Sequence, residues 1–166
     1  MKPWSSGPLQ VGHDLSAFRS GNDALDRWLR DGAHRAHAAG TAHTTVWTPP
    51  SADGVVAFHA IAPTQFTRAE LPSRSLSAGY SQIPGYLIAR LALDHTLHGQ
   101  GLGSQLLLDA LERIVVAAGE AGGRLIAVDA IDDAAHRFYR HHDFLPIHDS
   151  SRLVMKVSTA RQALGL

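Results

Sequence analysis

The residues best suited to chemistry form one glycine-rich run, His98-Gly99-Gln100-Gly101-Leu102-Gly103-Ser104, between an apolar stretch and a helical pattern. A helix N-terminus exposes unpaired N–H groups and has about half a positive charge. Glycines let the backbone close around an anion, because no Cβ stands in the way. The run therefore suits a phosphate or pyrophosphate, although an ordinary tight strand-to-helix turn has the same pattern. It matches neither a Walker loop nor Gly-x-Gly-x-x-Gly.

Two elements must position this turn. Residues 86–93 are nearly all apolar, which predicts a central strand buried on both faces. From Leu102 to Ala118 apolar residues recur at helical spacing, with Asp109, Glu112 and Arg113 predicted on the solvent face. Gly119, Gly122 and Gly123 are predicted to end that helix.

The remaining pattern predicts an α/β fold with a mixed central sheet and flanking helices. Beyond the long helix we expect a strand at 125–128, a helix at 132–142, and strands at 144–147 and 153–157, with pairing largely parallel in this half. Before it we expect a strand at 8–11, a helix beginning near Asn22 that Gly32 interrupts and Gly40 ends, and a hairpin of 41–48 with 55–61. Residues 63–84 show no period and predict a long loop.

Composition narrows the class of protein. With 166 residues, 45% of them hydrophobic, the chain suits one globular domain over 1–166. The absence of cysteine excludes disulfides, thiolate metal sites and a cysteine nucleophile. The formal net charge is zero, so any nucleic-acid partner needs a local basic patch. No run resembles a membrane span or a signal peptide, and we expect a cytoplasmic protein without membrane contact.

Histidine pairs do not predict a metal centre. His141-His142 with Asp143, and His34 with His37, offer ligand chemistry. Adjacent helical residues point about 100° apart, however, and no third ligand follows at suitable spacing. We therefore expect no metal.

The glycine turn and a second run together resemble the GCN5-related N-acetyltransferase (GNAT) family. The first signature of that family is a strand followed by Arg/Gln-x-x-Gly-x-Gly/Ala; Gly101 and Gly103 match it, and His98 stands at the Arg/Gln position. The second is Asn-x-x-Ala-x-x-Phe-Tyr followed by Gly-Phe. Here the run from Asp132 to Tyr139 corresponds to it, with Asp132 for Asn and Asp143 for Gly.

The resemblance implies the GNAT fold and an acetyl-CoA-dependent N-acetyltransferase. In that family the turn amides hold the CoA pyrophosphate and the preceding strand pairs with the pantetheine arm. The implied cofactor-binding residues are Leu91, Ala92, Leu93, His98, Gly99, Gln100, Gly101, Leu102, Gly103, Ser104 and Asp132. Tyr139 stands at the family's tyrosine and is the candidate acid for the departing thiolate, since a phenol donates a proton while uncharged; packing in the core is its alternative role. An N–H of the 91–93 strand would meet the oxyanion. Asp94, His95 and His98 are candidate bases, or simply exposed loop residues.

The N-terminal half is similar to one subgroup, the acetyltransferase toxins of toxin–antitoxin pairs, which acetylate aminoacyl-tRNA. The similarity runs from about Phe18 to Leu153, although Ser20-Gly21 stands where those toxins usually have Cys-Gly. It implies a tRNA substrate, a DNA-binding antitoxin of the ribbon-helix-helix type and a homodimer.

A basic stripe supports the tRNA interpretation. Arg27, Arg30, His34 and His37 share one side of the first helix by 100° steps, where they could follow a phosphate backbone or simply form a solvated face. Residues 151–166 add only basic charges, namely Arg152, Lys156 and Arg161. The neutral net charge favours instead a small-molecule or protein amine as acceptor. A non-catalytic acyl-CoA-binding module is a third interpretation.

Overall fold

The computed structural model describes residues 3–166, and within them a mixed seven-stranded sheet with helices packed against it. The strands are β1 (Ser5–Pro8), β2 (His43–Thr48), β3 (Ala57–Thr67), β4 (Gln82–Leu93), β5 (Leu125–Asp129), β6 (Leu145–Pro146) and β7 (Arg152–Lys156). The helices are α1 (Asp23–Asp31), α2 (Ala33–Ala39), α3 (Arg74–Ser77), α4 (Leu102–Ala121), α5 (Asp133–His141) and α6 (Val157–Leu164). Strand order is β1-β2-β3-β4-β5-β7-β6. The predicted fold class is confirmed.

Two compact units divide the chain. The first contains the described residues up to Ala62 together with Ala89–Ala110. The second contains Pro63–Ile88 and Leu111–Leu166. Strands β3 and β4 and helix α4 each contribute residues to both.

The first unit has apolar cores on both sides of its strands. One core contains Phe18, Leu29 and Phe58, with Trp28 packed against it. The other core contains Trp47 and Leu106. The predicted helix break is confirmed, because α1 ends before Gly32 and α2 ends at Gly40 with φ 73°. The N-cap is Asn22, whose side chain accepts from the Leu25 N–H.

The predicted solvent exposure of Asp109 on α4 is wrong. The pattern places it on the solvent face of α4, but it is only 7% exposed, and its Oδ2 lies 3.0 Å from Nε2 of the fully buried His59. The Ser6 hydroxyl donates to the same oxygen at 3.0 Å. A carboxylate can be buried in an apolar face when such partners replace water.

The strand pairing in the second unit is less parallel than predicted. Strand β4 pairs with β5 in parallel, but β7 runs antiparallel to both β5 and β6. The predicted loop at 63–84 is also wrong, since β3 extends to Thr67, α3 occupies 74–77 and β4 begins at Gln82. The core there contains Phe66, Leu76 and Ile83, all from that segment.

Gly85 sets the spacing between β4 and β5. A Cβ at this position would lie 2.2 Å from the Leu125 carbonyl oxygen and 2.7 Å from Phe66 Cε2. We expect Gly85→Ala to destabilise the fold by about 1–3 kcal/mol, because backbone on a paired strand cannot give way cheaply. Thermal unfolding would show it as a fall in Tm of roughly 2–4 °C per kcal/mol.

The matched control for this prediction is Gly119→Ala. Gly119 lies inside α4, where a Cβ meets nothing within 4 Å. The same added methyl should there be neutral or stabilise by up to about 1 kcal/mol, since glycine is a poor helix former. Equal melting temperatures for the two variants would contradict the packing argument.

Candidate active site

The glycine-rich turn lies in the first unit, between the end of β4 and the start of α4. Gly99 and Gly101 have φ of 76° and 74°, the left-handed region that side chains rarely adopt. A Cβ on either residue would meet nothing within 4 Å, so open space borders the turn backbone. Leu102, Gly103 and Ser104 form the first residues of α4. Peptide N–H groups beside open space at a helix N-terminus suit an anionic ligand.

Asp94 and His98 hold the turn in place. Asp94 Oδ1 accepts from the Arg19 N–H at 2.9 Å, and its Oδ2 accepts from the Thr96 hydroxyl at 2.6 Å. Burial acts to raise the pKa of Asp94, but the bonds from Thr96 and Arg19 outweigh it and lower the pKa. The ring Nε2 of His98 lies 3.1 Å from the Leu93 carbonyl oxygen, and Gln100 donates to the Thr96 carbonyl at 3.2 Å. These contacts give Asp94 and His98 a structural role.

Residues 91–93 are the last three of β4, just before the turn. The side chains of Ala92 and Leu93 are buried in different cores, and Leu91 packs against the same core as Leu93. Strand β4 pairs with β5 over Gly85–Ile88, opposite Leu125–Val128. Residues 91–93 of β4 lie beyond this paired stretch.

Tyr139 lies in the second unit, on α5, and is 8% exposed. Its ring meets Phe138 and Phe144 edge to face, with centroids 5.3 Å and 5.6 Å away. Burial, and then the charge of Asp129, raise the pKa of Tyr139 to about 12. The phenol therefore keeps its proton throughout the neutral range, as a general acid requires. Asp132 caps α5, its Oδ1 accepting from the Ala135 N–H at 2.8 Å.

Two side-chain pairs are not predicted from the sequence. Asp129 ends β5 and accepts two bonds from Arg152, at 2.9 Å to Nε and 3.0 Å to Nη2. The sequence groups Arg152 with a basic C-terminal segment, but its charge is paired. In the first unit the Arg90 guanidinium lies 4.4 Å above the Trp28 ring, a cation–π contact. The signal for Asp129 is its place at the carboxyl end of a predicted buried strand, where ligands often bind in α/β sheets.

The basic stripe is shorter than predicted. Arg27 and Arg30 are exposed on α1, and His34 is half-buried on α2. His37 is engaged, because its Nδ1 accepts from the Thr44 N–H at 3.2 Å and its ring lies 4.5 Å from that of His43. Gly32, with φ −121° and ψ −27°, separates α1 from α2, so the 100° steps of one regular helix do not hold across it.

Two other kinds of feature are absent from residues 3–166. No cluster of three or more His, Asp or Glu side chains there could hold a metal ion. No helix in that range is long and apolar enough to cross a membrane.

Comparison with known proteins first shows the class of protein to which this chain belongs. Residues 77–144 match the model of the acetyltransferase (GNAT) family, a segment that contains the turn, α4 and Tyr139. The structure of AtaT complexed with acetyl-methionyl-tRNAfMet superposes with a TM-score of 0.89 at 25% identity, covering 97% of this chain and 99% of that one. The structure of AtaTR bound with acetyl-CoA gives a TM-score of 0.87 at 26% identity, covering 99% of each. This is the fold and sequence of an acetyltransferase.

A curated relative then defines the family. The tRNA-acetylating toxin of Mycobacterium tuberculosis is 38% identical over 154 residues, 92% of this chain and 91% of that protein. The chain belongs to the GNAT acetyltransferase family, in its subgroup of acetyltransferase toxins. It is an N-acetyltransferase, as the two signatures predicted.

Proposed function

We propose that this protein transfers the acetyl group of acetyl-CoA to the α-amino group of an aminoacyl-tRNA and so blocks translation. The observation that supports it most strongly is the 38% identity, over 92% of the chain, to a tRNA-acetylating toxin. The AtaT structure with acetyl-methionyl-tRNAfMet supports the same kind of acceptor, and the AtaTR structure with acetyl-CoA supports the same donor. An acetylated amino group cannot form the next peptide bond.

The residues around the glycine turn fit acetyl-CoA, which supplies an acetyl group activated as a thioester. Open space beside Gly99 and Gly101 leaves room for the pyrophosphate against the N–H groups of 99–104. The backbone of 91–93, whose side chains serve the core, is assigned to the pantetheine arm and to the developing negative charge on the carbonyl oxygen. Asp132 fixes the start of the helix that bears Tyr139.

Tyr139 is assigned the proton transfer to the leaving sulfur. The acceptor nitrogen forms the new C–N bond as the C–S bond breaks. The sulfur takes its proton from the Tyr139 phenol, and the proton that the nitrogen releases returns through solvent to the Tyr139 phenolate, so the products are an amide and a free thiol and the acid is restored. An α-amino group has a pKa of about 7.7–8.0 and is partly neutral near pH 7, so a strong base is unnecessary.

The same proposal covers the organisation of the protein. We take residues 1–166 to act as a single acetyltransferase domain, and the cytoplasm, where charged tRNA and acetyl-CoA occur, to be its location. Membership of the toxin subgroup supports a homodimer paired with a ribbon-helix-helix antitoxin. The zero net charge favours one alternative acceptor, a small-molecule or peptide amine.

A charge reversal on α1 tests the tRNA acceptor. We expect Arg27→Glu with Arg30→Glu to raise the KM for aminoacyl-tRNA, because two exposed cations would no longer meet phosphates. The slope of log K against log salt should become shallower by roughly 0.7–0.9 for each phosphate that the variant no longer neutralises. Calorimetric affinity for acetyl-CoA should be unchanged.

The matched control reverses Arg137 and Arg140 on α5. Both are exposed and have the same three-residue spacing, so the net charge changes equally. A KM that rises as much in this control would mean that net charge alone, and not the α1 surface, attracts tRNA. An α1 variant with unchanged KM and salt slope would remove α1 from the proposed interface.

A further inference from the structure

Arg90 is a half-buried cation on β4, in the first unit. Among the residues that the structure describes, no carboxylate forms an ion pair with its guanidinium, and its hydrogen bond to the Ala89 carbonyl oxygen is long, at 3.3 Å from Nη1. Burial lowers the pKa of Arg90, yet a guanidinium stays charged at neutral pH. The half-buried Arg152, by contrast, is paired with Asp129. Because a charge withdrawn from water needs a partner, Arg90 suits an anionic ligand.

Trp28 holds this guanidinium in place. The Arg90 Cζ lies 4.4 Å from the centroid of the Trp28 ring, a cation–π contact. The indole is itself fixed, because it stacks on Phe58 with 6.1 Å between centroids and 18° between planes. A Cβ at Gly32 would lie only 3.0 Å from the Trp28 Cδ1. The π face offsets part of the cost of burial, and most of the five N–H donors of the guanidinium are left for a ligand.

Arg90 directly precedes the segment of β4 that we assign to acetyl-CoA. Consecutive Cα atoms are about 3.8 Å apart, so Arg90 is one residue from the reacting segment, 91–93. Residues two apart on a strand share a face, which places Arg90 on the face of Ala92. Ala92 belongs to the core against which Trp28 of α1 packs, whereas Leu93 belongs to the other core. The guanidinium therefore lies beside the reacting segment, on the α1 side of the strand.

The helix on that side has the surface that we propose for tRNA. Arg27 and Arg30 are exposed on α1, in the same unit as Arg90. The exposed carboxylates of α1, Asp23 and Asp31, are its first and last residues. Of the three arginines, Arg90 is on the reacting strand itself. A chain of phosphates that follows α1 toward the thioester therefore reaches Arg90 last.

We propose that Arg90, positioned by Trp28, binds the phosphate of the 3′-terminal nucleotide of the aminoacyl-tRNA and so fixes the acceptor amine at the thioester. The proposal rests on the proposed function and adds the residue that recognises the end of the acceptor strand. The aminoacyl ester is on the terminal ribose, so the phosphate of that nucleotide is the RNA anion nearest to the amine. A guanidinium fits a phosphate because two parallel N–H donors can meet two of its oxygens.

The test uses acceptors that differ by one phosphate. Purified full-length protein, saturated with labelled acetyl-CoA, is given 3′-aminoacylamino-3′-deoxyadenosine with or without a 5′-phosphate, each prepared with glycine, alanine, isoleucine and methionine. A compound that is not acetylated is measured as a competitive inhibitor of the acetylation of total charged tRNA. For wild type we expect the phosphorylated compound to be favoured about 10- to 100-fold, in kcat/KM or in Ki, as a charged hydrogen bond provides. Equal constants for the two compounds overturn the proposal.

Arg90→Gln should remove this preference for the phosphate. The phosphorylated compound should fall to the level of the other, whose own constant should hardly change. The KM for aminoacyl-tRNA should rise about 10- to 100-fold with kcat nearly unchanged, and the slope of log K against log salt should become shallower by roughly 0.7. Calorimetric affinity for acetyl-CoA should be unchanged. An equal loss for both compounds would show a merely structural role and overturn the proposal.

Two variants control for charge and for folding. Arg137→Gln removes the same charge from an exposed residue of α5 and should keep the wild-type preference. Arg90→Lys keeps the charge without the planar fork, so it should recover part of the preference. If Arg90→Gln fails to fold, Arg90→Lys replaces it, and a preference as large as that of wild type then overturns the proposal.

Variants of Trp28 test its positioning role. Trp28→Phe keeps a π face and should preserve the preference for the phosphorylated compound. Trp28→Leu keeps an apolar side chain without a π face and should reduce that preference by several-fold, while the unphosphorylated compound is little affected. An undiminished preference in Trp28→Leu would overturn the positioning role.

The two kinds of acceptor separate this proposal from the function on which it rests. Label on tRNA without an Arg90-dependent preference would refute the phosphate contact and preserve the tRNA acceptor. An Arg90-dependent preference for the phosphorylated compound, without any label on tRNA, would do the reverse. Protein that acetylates neither tRNA nor the compounds would overturn both.

Discussion

Replacing Tyr139 with phenylalanine is expected to lower kcat by about 10²- to 10⁴-fold, the usual contribution of a general acid. The change removes one hydroxyl and leaves the contacts with Phe138 and Phe144, so Tm and acetyl-CoA affinity should hardly change. Because the pKa of Tyr139 is raised to about 12, the wild-type pH–rate profile should show no loss of this acid across the neutral range. Single-turnover kinetics with labelled acetyl-CoA measure the effect.

Tyr86→Phe provides the matched control. It removes a hydroxyl that donates to the Gly122 carbonyl at 2.7 Å, on a residue outside the proposed site. That variant should keep its kcat. If Tyr139→Phe retains more than half of wild-type kcat where chemistry limits the rate, Tyr139 is a packing residue and the acid must be sought elsewhere.

The second large effect concerns the donor site. Gly101→Val is expected to abolish detectable acetyl-CoA binding for two reasons. Valine would fill the open space beside the turn, and a β-branched residue cannot adopt φ 74° without strain. Wild-type Tm should rise with acetyl-CoA by RT ln(1 + [L]/Kd), and the variant should show no rise.

Gly119→Val controls for the added side chain. It places valine on α4 in open space, at a position without positive φ, and away from the turn. Its ligand-dependent Tm shift should match that of wild type. A Gly101→Val protein that binds acetyl-CoA with wild-type affinity would show that the pyrophosphate lies elsewhere.

Local chemistry predicts much of this fold. The Asn22 cap, the break at Gly32 and the end at Gly40 depend on neighbouring residues, and the structure has all three. Strand β4 lies where its apolar run predicts it, but burial on both faces is incomplete, because only Ile88, Ala92 and Leu93 of residues 86–93 are buried and the other five are half-buried.

The predictions from sequence fail where contacts between residues far apart in the chain determine the local structure. Segment 63–84 has no period because its residues are ordered by contacts such as those of Arg124, which donates to the Leu76 and Ser75 carbonyls from far along the chain. The pattern assigns Asp109 to solvent because its partner His59 is fifty residues away. The three glycines predicted to end α4 do so at Gly122 and Gly123, since the helix continues through Gly119 to Ala121.

The candidate site likewise has parts that the sequence predicts and parts that it does not. The turn at 98–104 and Tyr139 belong to contiguous signatures, so the sequence alone predicts them as site residues. The Asp129–Arg152 pair joins two strands through antiparallel pairing of β5 with β7, whereas the sequence predicts a largely parallel sheet there. Without that register Arg152 can only be counted as one more basic residue near the end of the chain.

The central claim is that the acetyl group goes to aminoacyl-tRNA. It is tested most directly by incubating purified protein with radiolabelled acetyl-CoA and total charged tRNA, together with free polyamines and peptides, and locating the label. We expect the label on tRNA, and mild alkali should release it as an N-acetyl amino acid, because the aminoacyl ester is labile and the amide is stable. Label on polyamines or peptides, with none on aminoacyl-tRNA at any salt concentration, would contradict the tRNA acceptor while leaving the acetyltransferase itself intact.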